Sequence, residues 1–281
     1  MRYESVFRPN LFQGQTILVT GGGTGIGRAI AHELASLGAH VVLAARQQSA
    51  LENVQQEIQA AGGLASWRVC NIRDEAQVQT LFQTILAQRG ALHALVNNAG
   101  GQFLSPAEYI SSKGWHAVIE TNLTGTFMLC REAFNTYFGR HGGAIVNIIS
   151  EMWRGFPGMA HSGAARAGVE NLTKTLAVEW ARAGVRVNAV APGLIRSSGL
   201  THYGEQMQPL IEKMVEDLPA KRMGTEAEAA AAVTFLLSPA AAYISGETIR
   251  VDGASSLWRK SWEIPAHTHS QPFQGFVEDE E

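Results

Sequence analysis

The sequence predicts one doubly wound α/β domain, a parallel sheet of about seven strands with helices on both faces. Three observations carry that expectation. Apolar runs of strand length alternate with segments of helical period along most of the 281 residues. The strand-like runs are apolar on both faces, as strands covered from both sides must be. The first of them ends in a glycine-rich turn that opens a helix. A hydrophobic fraction of 46% and 29 glycines suit a compact fold with many tight turns.

The elements follow in order. "QTILVT" (15–20) leads into a helix from Ile26 to Leu37, and "HVVLAA" (40–45) into one from Ser49 to Ala61. "LASWRVC" (64–70) precedes a helix near Glu75–Gln88, then comes "LHALVNN" (92–98). A long helical stretch covers about Trp115–Phe138 before "GAIVNIIS" (143–150). Next, Ala164, Ala167, Val169, Leu172, Leu176 and Val178 recur at helical spacing. "VRVNAVAP" (185–192), a helix over Glu226–Leu237 and "ETIRVDG" (247–253) complete the pattern. No repeat, linker or shift in composition marks a second domain. The domain is expected to span 1–257, with a long loop at about 193–224 and a tail at 258–281.

Composition excludes several functions. A net charge of -3, with 17% charged residues and scattered cations, leaves no footprint for nucleic acid or a membrane surface. Cys70 and Cys130 form no metal-spaced pattern, which argues for a reducing compartment. The opening "MRYESVFRPNLFQG" lacks the apolar core of a signal peptide, and no apolar run reaches about eighteen residues. The terminal "FVEDEE" resembles no peroxisomal signal. The chain is expected to be soluble and cytoplasmic, with no metal. His267 and His269 read as parts of a mobile terminus rather than as ligands.

The turn "TGGGTGIG" (Thr20–Gly27) places Gly21, Thr24, Gly25, Ile26 and Gly27 between the first strand and its helix. Glycines there allow close approach of the backbone, and the helix start offers N–H groups and positive charge to a pyrophosphate. At the end of the second strand stand Ala44, Ala45 and Arg46, with no acid for a ribose 2′-hydroxyl. A cation there favours a 2′-phosphate, so the expected cofactor is NADP(H), held by Arg46 with Arg28 nearby.

Together with that turn, "VNNAG" (96–100), "TNLTGTF" (121–127), "GAIVNIIS" (143–150) and "VNAVAPGLI" (187–195) resemble the short-chain dehydrogenase/reductase superfamily, whose fold is Rossmann-type. The match runs from about Gln13 to Gly253. Within it, "GGQFLSPAEYISSKGWHAVIETNLTGTF" (100–127) and "HSGAARAGVENLTK" (161–174) look like the peroxisomal trans-2-enoyl-CoA reductases, with dienoyl-CoA reductases as neighbours. The resemblance implies that Asn98, Ala99 and Gly100 line the adenosine side, that Asn71 and Ile72 lie against adenine, and that Pro192, Gly193, Ile195 and Ser197 hold the nicotinamide carboxamide. Asn122 matches the superfamily's active-site asparagine, and Ser150 ends the strand where its catalytic serine sits. A homotetramer, or at least a dimer, is implied as well.

One departure stands out. Ordinary members carry a tyrosine and a lysine four apart on the helix after that strand. Aligning "AARAGV" with the family's "AAKAGV" puts Ser162 at the tyrosine and Arg166 at the lysine. A serine is too weak an acid to replace the phenol, and an arginine holds its proton. Reduction of a carbon–carbon double bond conjugated to a thioester needs an acid there less. Hydride goes to C3, and the site chiefly donates hydrogen bonds to the enolate oxygen. The expected substrate is therefore a trans-2-enoyl thioester, with Ser162 and Ser150 as donors and Arg166 on the cofactor. Ser162 can also be read as a helix N-cap. Two alternatives stay open: a carbonyl reductase borrowing Tyr109 or Tyr203, and an NADP(H)-binding protein without catalysis. Glu151, His161 and the Glu170/Lys174 pair are weaker site candidates. In the long loop, Met207, Leu210, Ile211, Met214 and Val215 form an apolar stripe suited to covering an acyl chain.

Overall fold

The computed structural model describes residues 2–197, 208–259 and 261–277. Its sheet has seven parallel strands: β2 (Thr16–Thr20), β3 (His40–Ala45), β4 (Leu64–Val69), β5 (Ala94–Asn97), β6 (Gly143–Ile148), β7 (Val185–Pro192) and β10 (Thr248–Val251). They lie in the order β10-β7-β6-β5-β2-β3-β4. The order reverses between β2 and β5, paired in register at Leu18 and Leu95, and an open α/β sheet binds ligands at the carboxyl ends beside such a point.

Helices α1 (Gly25–Ser36), α2 (Gln48–Ala60), α3 (Glu75–Arg89), α4 (Ser112–Ile119), α5 (Gly125–Ala133), α6 (Gly139–His141), α7 (Ala160–Glu179), α8 (Gln208–Asp217) and α9 (Glu226–Leu237) connect and cover the strands. One core layer joins Ile17 and Val41 to Ile30 and Val233. The opposite layer joins Leu18 and Leu95 to Phe82, Leu129 and Leu176. The strands therefore bury side chains on both faces, which explains their unbroken apolar runs.

Between α4 and α5 the helix widens into a π turn over Glu120–Thr124, and a second π turn covers Phe134–Phe138. The long helical stretch expected from the sequence is thus one run interrupted twice. Under it, Asn97 donates to Asn147 Oδ1 at 2.8 Å and Asn147 donates to Thr173 Oγ1 at 2.9 Å. This buried chain ties β5 and β6 to α7, and burial pushes the adjoining Cys130 thiol up to about 12.

Two small pairings lie outside the pattern read from the sequence. β8 (Ile195–Arg196) pairs with β9 (Gly224–Thr225), and β1 (Arg2–Tyr3) pairs antiparallel with β11 (Phe276–Val277). Among the described residues no helix is long and apolar enough to cross a membrane.

Candidate functional site

The glycine turn closes directly on the end of β2. Gly21 and Gly25 have φ of 66° and 56°, in the left-handed region that favours glycine. A Cβ at position 27 would stand 2.2 Å from Gly21 O, so only glycine lets α1 start this close to the strand. Thr24 caps α1 with extended backbone and no side-chain bond, leaving the first-turn N–H groups to face the mouth of the turn. Ile26 packs on the core. Asn98 Nδ2 donates to Thr20 O and Gly21 O at 3.0 and 3.2 Å, so its side chain braces the turn.

An open cavity of about 150 Å³ lies beside the turn, lined by Gly21, Thr24, Arg46, Asn71, Ile72, Ala99 and Gly100 among others. No carboxylate lines it, and a second cation does: Arg73, which the sequence reading missed and which pairs with Glu120. Arg28 is a correction. Its guanidinium donates to Glu57 Oε2 at 2.7 Å and lies 4.5 Å over the Phe276 ring, away from the cavity lining. The residues present fit a dinucleotide carrying a 2′-phosphate: a cradle that a Cβ would fill, and Arg46 in the lining with no carboxylate partner among the described residues.

At the far end of the sheet, Pro192 closes β7 and Gly193 N donates to Val251 O at 3.0 Å. A Cβ at Gly193 would press on Asp252 at 2.8 Å. Ile195 is buried on β8, and Ser197 follows it at the edge of the described residues.

Ser162 and Arg166, expected at the reacting end, sit on α7. Its cap is Met159, so Ser162 lies inside the first turn and the N-cap reading falls. Ser162 is fully buried, and its Oγ donates to Gln102 Oε1 at 2.8 Å. Arg166, one turn on, is buried and donates to Ile148 O at 2.7 Å. A Cβ at Gly100 would meet its Nη2 at 2.3 Å and Asn122 Oδ1 at 3.2 Å, so the glycine makes room for the guanidinium. Among the described residues no carboxylate forms a salt bridge with Arg166. Burial pushes its pKa down to about 10, which keeps it charged at neutral pH.

Asn122, in the π turn, accepts from Gly101 N and donates to Gly101 O, both at 2.9 Å. It therefore clamps the loop after β5. That loop lies antiparallel on the start of α7: Gln102 against Ser162, Phe103 edge-on to His161 at 4.3 Å, and Ser105 N donating to Gly158 O at 2.7 Å. Ser150 Oγ is buried with no partner among the described residues, and so is His161 Nε2. His161 Nδ1 accepts from Ser162 N at 2.7 Å, and burial lowers its pKa, so the imidazole is neutral.

Other candidates stand elsewhere. Tyr109 is 75% exposed, and Tyr203 lies outside the described residues. Glu151 accepts from Ser255. Lys174 pairs with Glu170 at 2.8 Å, and Glu170 also accepts from Trp153 Nε1 at 3.0 Å, which occupies that pair structurally. His267 Nε2 donates to Pro219 O at 2.9 Å, and no group of three metal-binding side chains exists among the described residues. On α8, Leu210 and Met214 are exposed, and Met207 of the same stripe lies outside the described residues. Gln102 was missed because nothing in the local pattern marks it. The chemistry assembled is a neutral amide and hydroxyls beside a buried positive charge, suited to holding an anionic oxygen.

Residues 21–255 match the family model for enoyl-(acyl carrier protein) reductase. A probable 2,4-dienoyl-CoA reductase of Bacillus subtilis is 37% identical, over 86% of this chain and 97% of its own. A peroxisomal 2,4-dienoyl-CoA reductase of Rattus norvegicus is 35% identical, over 90% and 87%. Among solved structures, a citronellol catabolism dehydrogenase of Pseudomonas aeruginosa superimposes with a TM-score of 0.82 and 56% identity, covering 90% of this chain and all, 100%, of that one.

Proposed function

The chain belongs to the enoyl-(acyl carrier protein) reductase family of short-chain dehydrogenases/reductases, and on that premise we propose that it is an NADPH-dependent reductase of trans-2-enoyl-CoA thioesters. The observation that supports this reading most is the pair Ser162 and Arg166 in place of a phenol and a lysine, with Gln102 2.8 Å from Ser162. When bound, the cofactor would supply a hydride to C3 of the acyl chain, and a proton from water or another residue goes to C2 to complete the reduction. Gln102 and Ser150, and Ser162 once its single hydroxyl proton turns from Gln102 Oε1, offer hydrogen bonds to the thioester oxygen, where the negative charge collects. Arg166 holds a positive charge behind them at neutral pH and cannot pass a proton, since its pKa stays near 10. Asn122 keeps Gln102 in place through Gly101.

On the cofactor side, Arg46 is the residue for the 2′-phosphate, while Gly21, Thr24, Gly25 and Gly27 receive the pyrophosphate. Ala99 and Gly100, with Asn71 and Ile72, border the adenosine, and Pro192, Gly193, Ile195 and Ser197 border the nicotinamide. Exposed Trp115, Phe127 and Val178 on α4, α5 and α7 support a homotetramer built on those helices.

A second reading has one observation in its favour, the similarity to the citronellol catabolism dehydrogenase. Alcohol or carbonyl chemistry requires a proton donor at the substrate oxygen, and no tyrosine of the described residues stands beside Ser162. The test is turnover with NADPH on crotonyl-CoA, 2,4-hexadienoyl-CoA and acetoacetyl-CoA, and with NADP on citronellol. Faster reduction of the 2-enoyl thioester is expected. Preference for the dienoyl thioester moves the substrate to that class, and preference for the ketone or alcohol overturns the reading. Cofactor binding without any turnover identifies a non-catalytic protein.

A further inference from the structure

We infer that Trp258 and residues 261–277 form a strap that completes the substrate entrance by fixing the loops on either side of it. The inference rests on the acyl-thioester reading of the site above. On one side is the loop after β6, which begins at Ile149 and carries Ser150. Arg154 Nη1 donates to Trp258 O at 2.5 Å, and Ser255 donates to Glu151. Just before the strap, the Arg250 guanidinium lies 4.1 Å over the Trp153 ring. On the other side is the segment that leads from α8 to β9 and closes the loop begun at Gly193. There His267 Nε2 donates to Pro219 O at 2.9 Å, and Arg222 Nε donates to Ser270 O and Oγ at 3.0 Å. Arg222 Nη2 reaches Gln271 O at 3.1 Å, and Thr225 Oγ1 donates to Phe273 O.

The strap then ends as β11 against β1, with Val277 opposite Arg2. Between strap and loop base lies a cavity of about 270 Å³, bordered by Arg196, Met223, Ala227, Pro272 and Phe276. Discrete hydrogen bonds rather than continuous packing therefore hold the strap to this side. Among the described residues Ser162 bonds to Gln102 and Arg166 to Ile148, neither in the strap, so loss of the strap alters how substrate is received and not the bond-making step. Arg154 and His267 are positioning residues in this scheme.

The experiment uses full-length Arg154→Ala, His267→Ala and the double variant. In each single variant one strap bond is lost. The double variant is expected to raise KM for crotonyl-CoA about tenfold, the scale of two hydrogen bonds. Its kcat and NADPH affinity should stay within about twofold. Amides of residues 219–225 and 151–154 should exchange hydrogen faster, while those of the sheet do not. Arg154→Lys and His267→Gln, which keep a donor, should restore KM. Faster exchange with unchanged KM overturns the positioning role, and unchanged exchange overturns the strap itself. If wild type turns over no thioester, the reductase reading fails separately, and exchange still decides whether the strap holds these loops.

Discussion

Ser162 donates its hydroxyl proton to Gln102 Oε1 across 2.8 Å, joining the first turn of α7 to the loop after β5. The pair is the core of the proposed oxyanion contact. Ser162→Ala should lower turnover of crotonyl-CoA roughly tenfold to a thousandfold, the scale of one lost oxyanion donor. NADPH affinity should barely change. Gln102→Glu separates the roles of the amide: a neutral carboxyl donates and an ionised one only accepts. Its turnover should be lost as pH rises through the carboxyl pKa. Wild-type activity of Gln102→Glu at neutral pH would reduce Gln102 to a support for Ser162.

Arg166 predicts both affinity and pH dependence. Arg166→Ala should weaken NADPH binding and turnover together, whereas Arg166→Lys should retain much of both at neutral pH. The guanidinium is charged below its pKa of about 10, so activity that depends on the charge is present below that pH and lost above it. A profile of kcat against pH should be flat through the neutral range and fall only toward about 10. A fall near neutrality would reveal a titrating acid elsewhere in the site.

Two arginines near the glycine turn should differ in kind. Arg46→Asp is expected to cost about 1–3 kcal/mol of NADPH binding, one charge-assisted contact, and to shift preference toward NADH. Arg28→Ala should leave NADPH affinity unchanged and lower Tm, because it removes the bond to Glu57 and the stack on Phe276. Isothermal titration with both cofactors checks the pair. Reversed effects would exchange the two assignments.

Acid stability should follow His161 and His32. Burial lowers the pKa of both below the usual 6.5, so the folded state prefers them neutral. Their contribution is complete above about pH 6.5 and is lost as pH falls toward the folded values, at up to about 1.4 kcal/mol per pH unit for each. Denaturant unfolding at pH 7 and 5.5 should show the loss, and His161→Gln should reduce its slope. An identical slope in that variant would place the acid sensitivity elsewhere.

The sequence by itself determined the order of strands and helices, the glycine turn and the placing of Ser162 and Arg166 one helical turn apart. Each of these is local: period and spacing alone specify which residues share a face, and a Cβ at Gly27 has no room whatever lies further along the chain. Seven strands in one parallel sheet follow from runs that are apolar on both faces. Tertiary structure alone decided the rest. Gln102 meets Ser162 from 60 residues away, Arg28 turns to Phe276 instead of the cavity beside the glycine turn, and residues 261–277 bind the segment between α8 and β9. Loops carry no period, and their course is set by hydrogen bonds to segments distant in sequence, so the partners of their side chains appear only once the chain has folded.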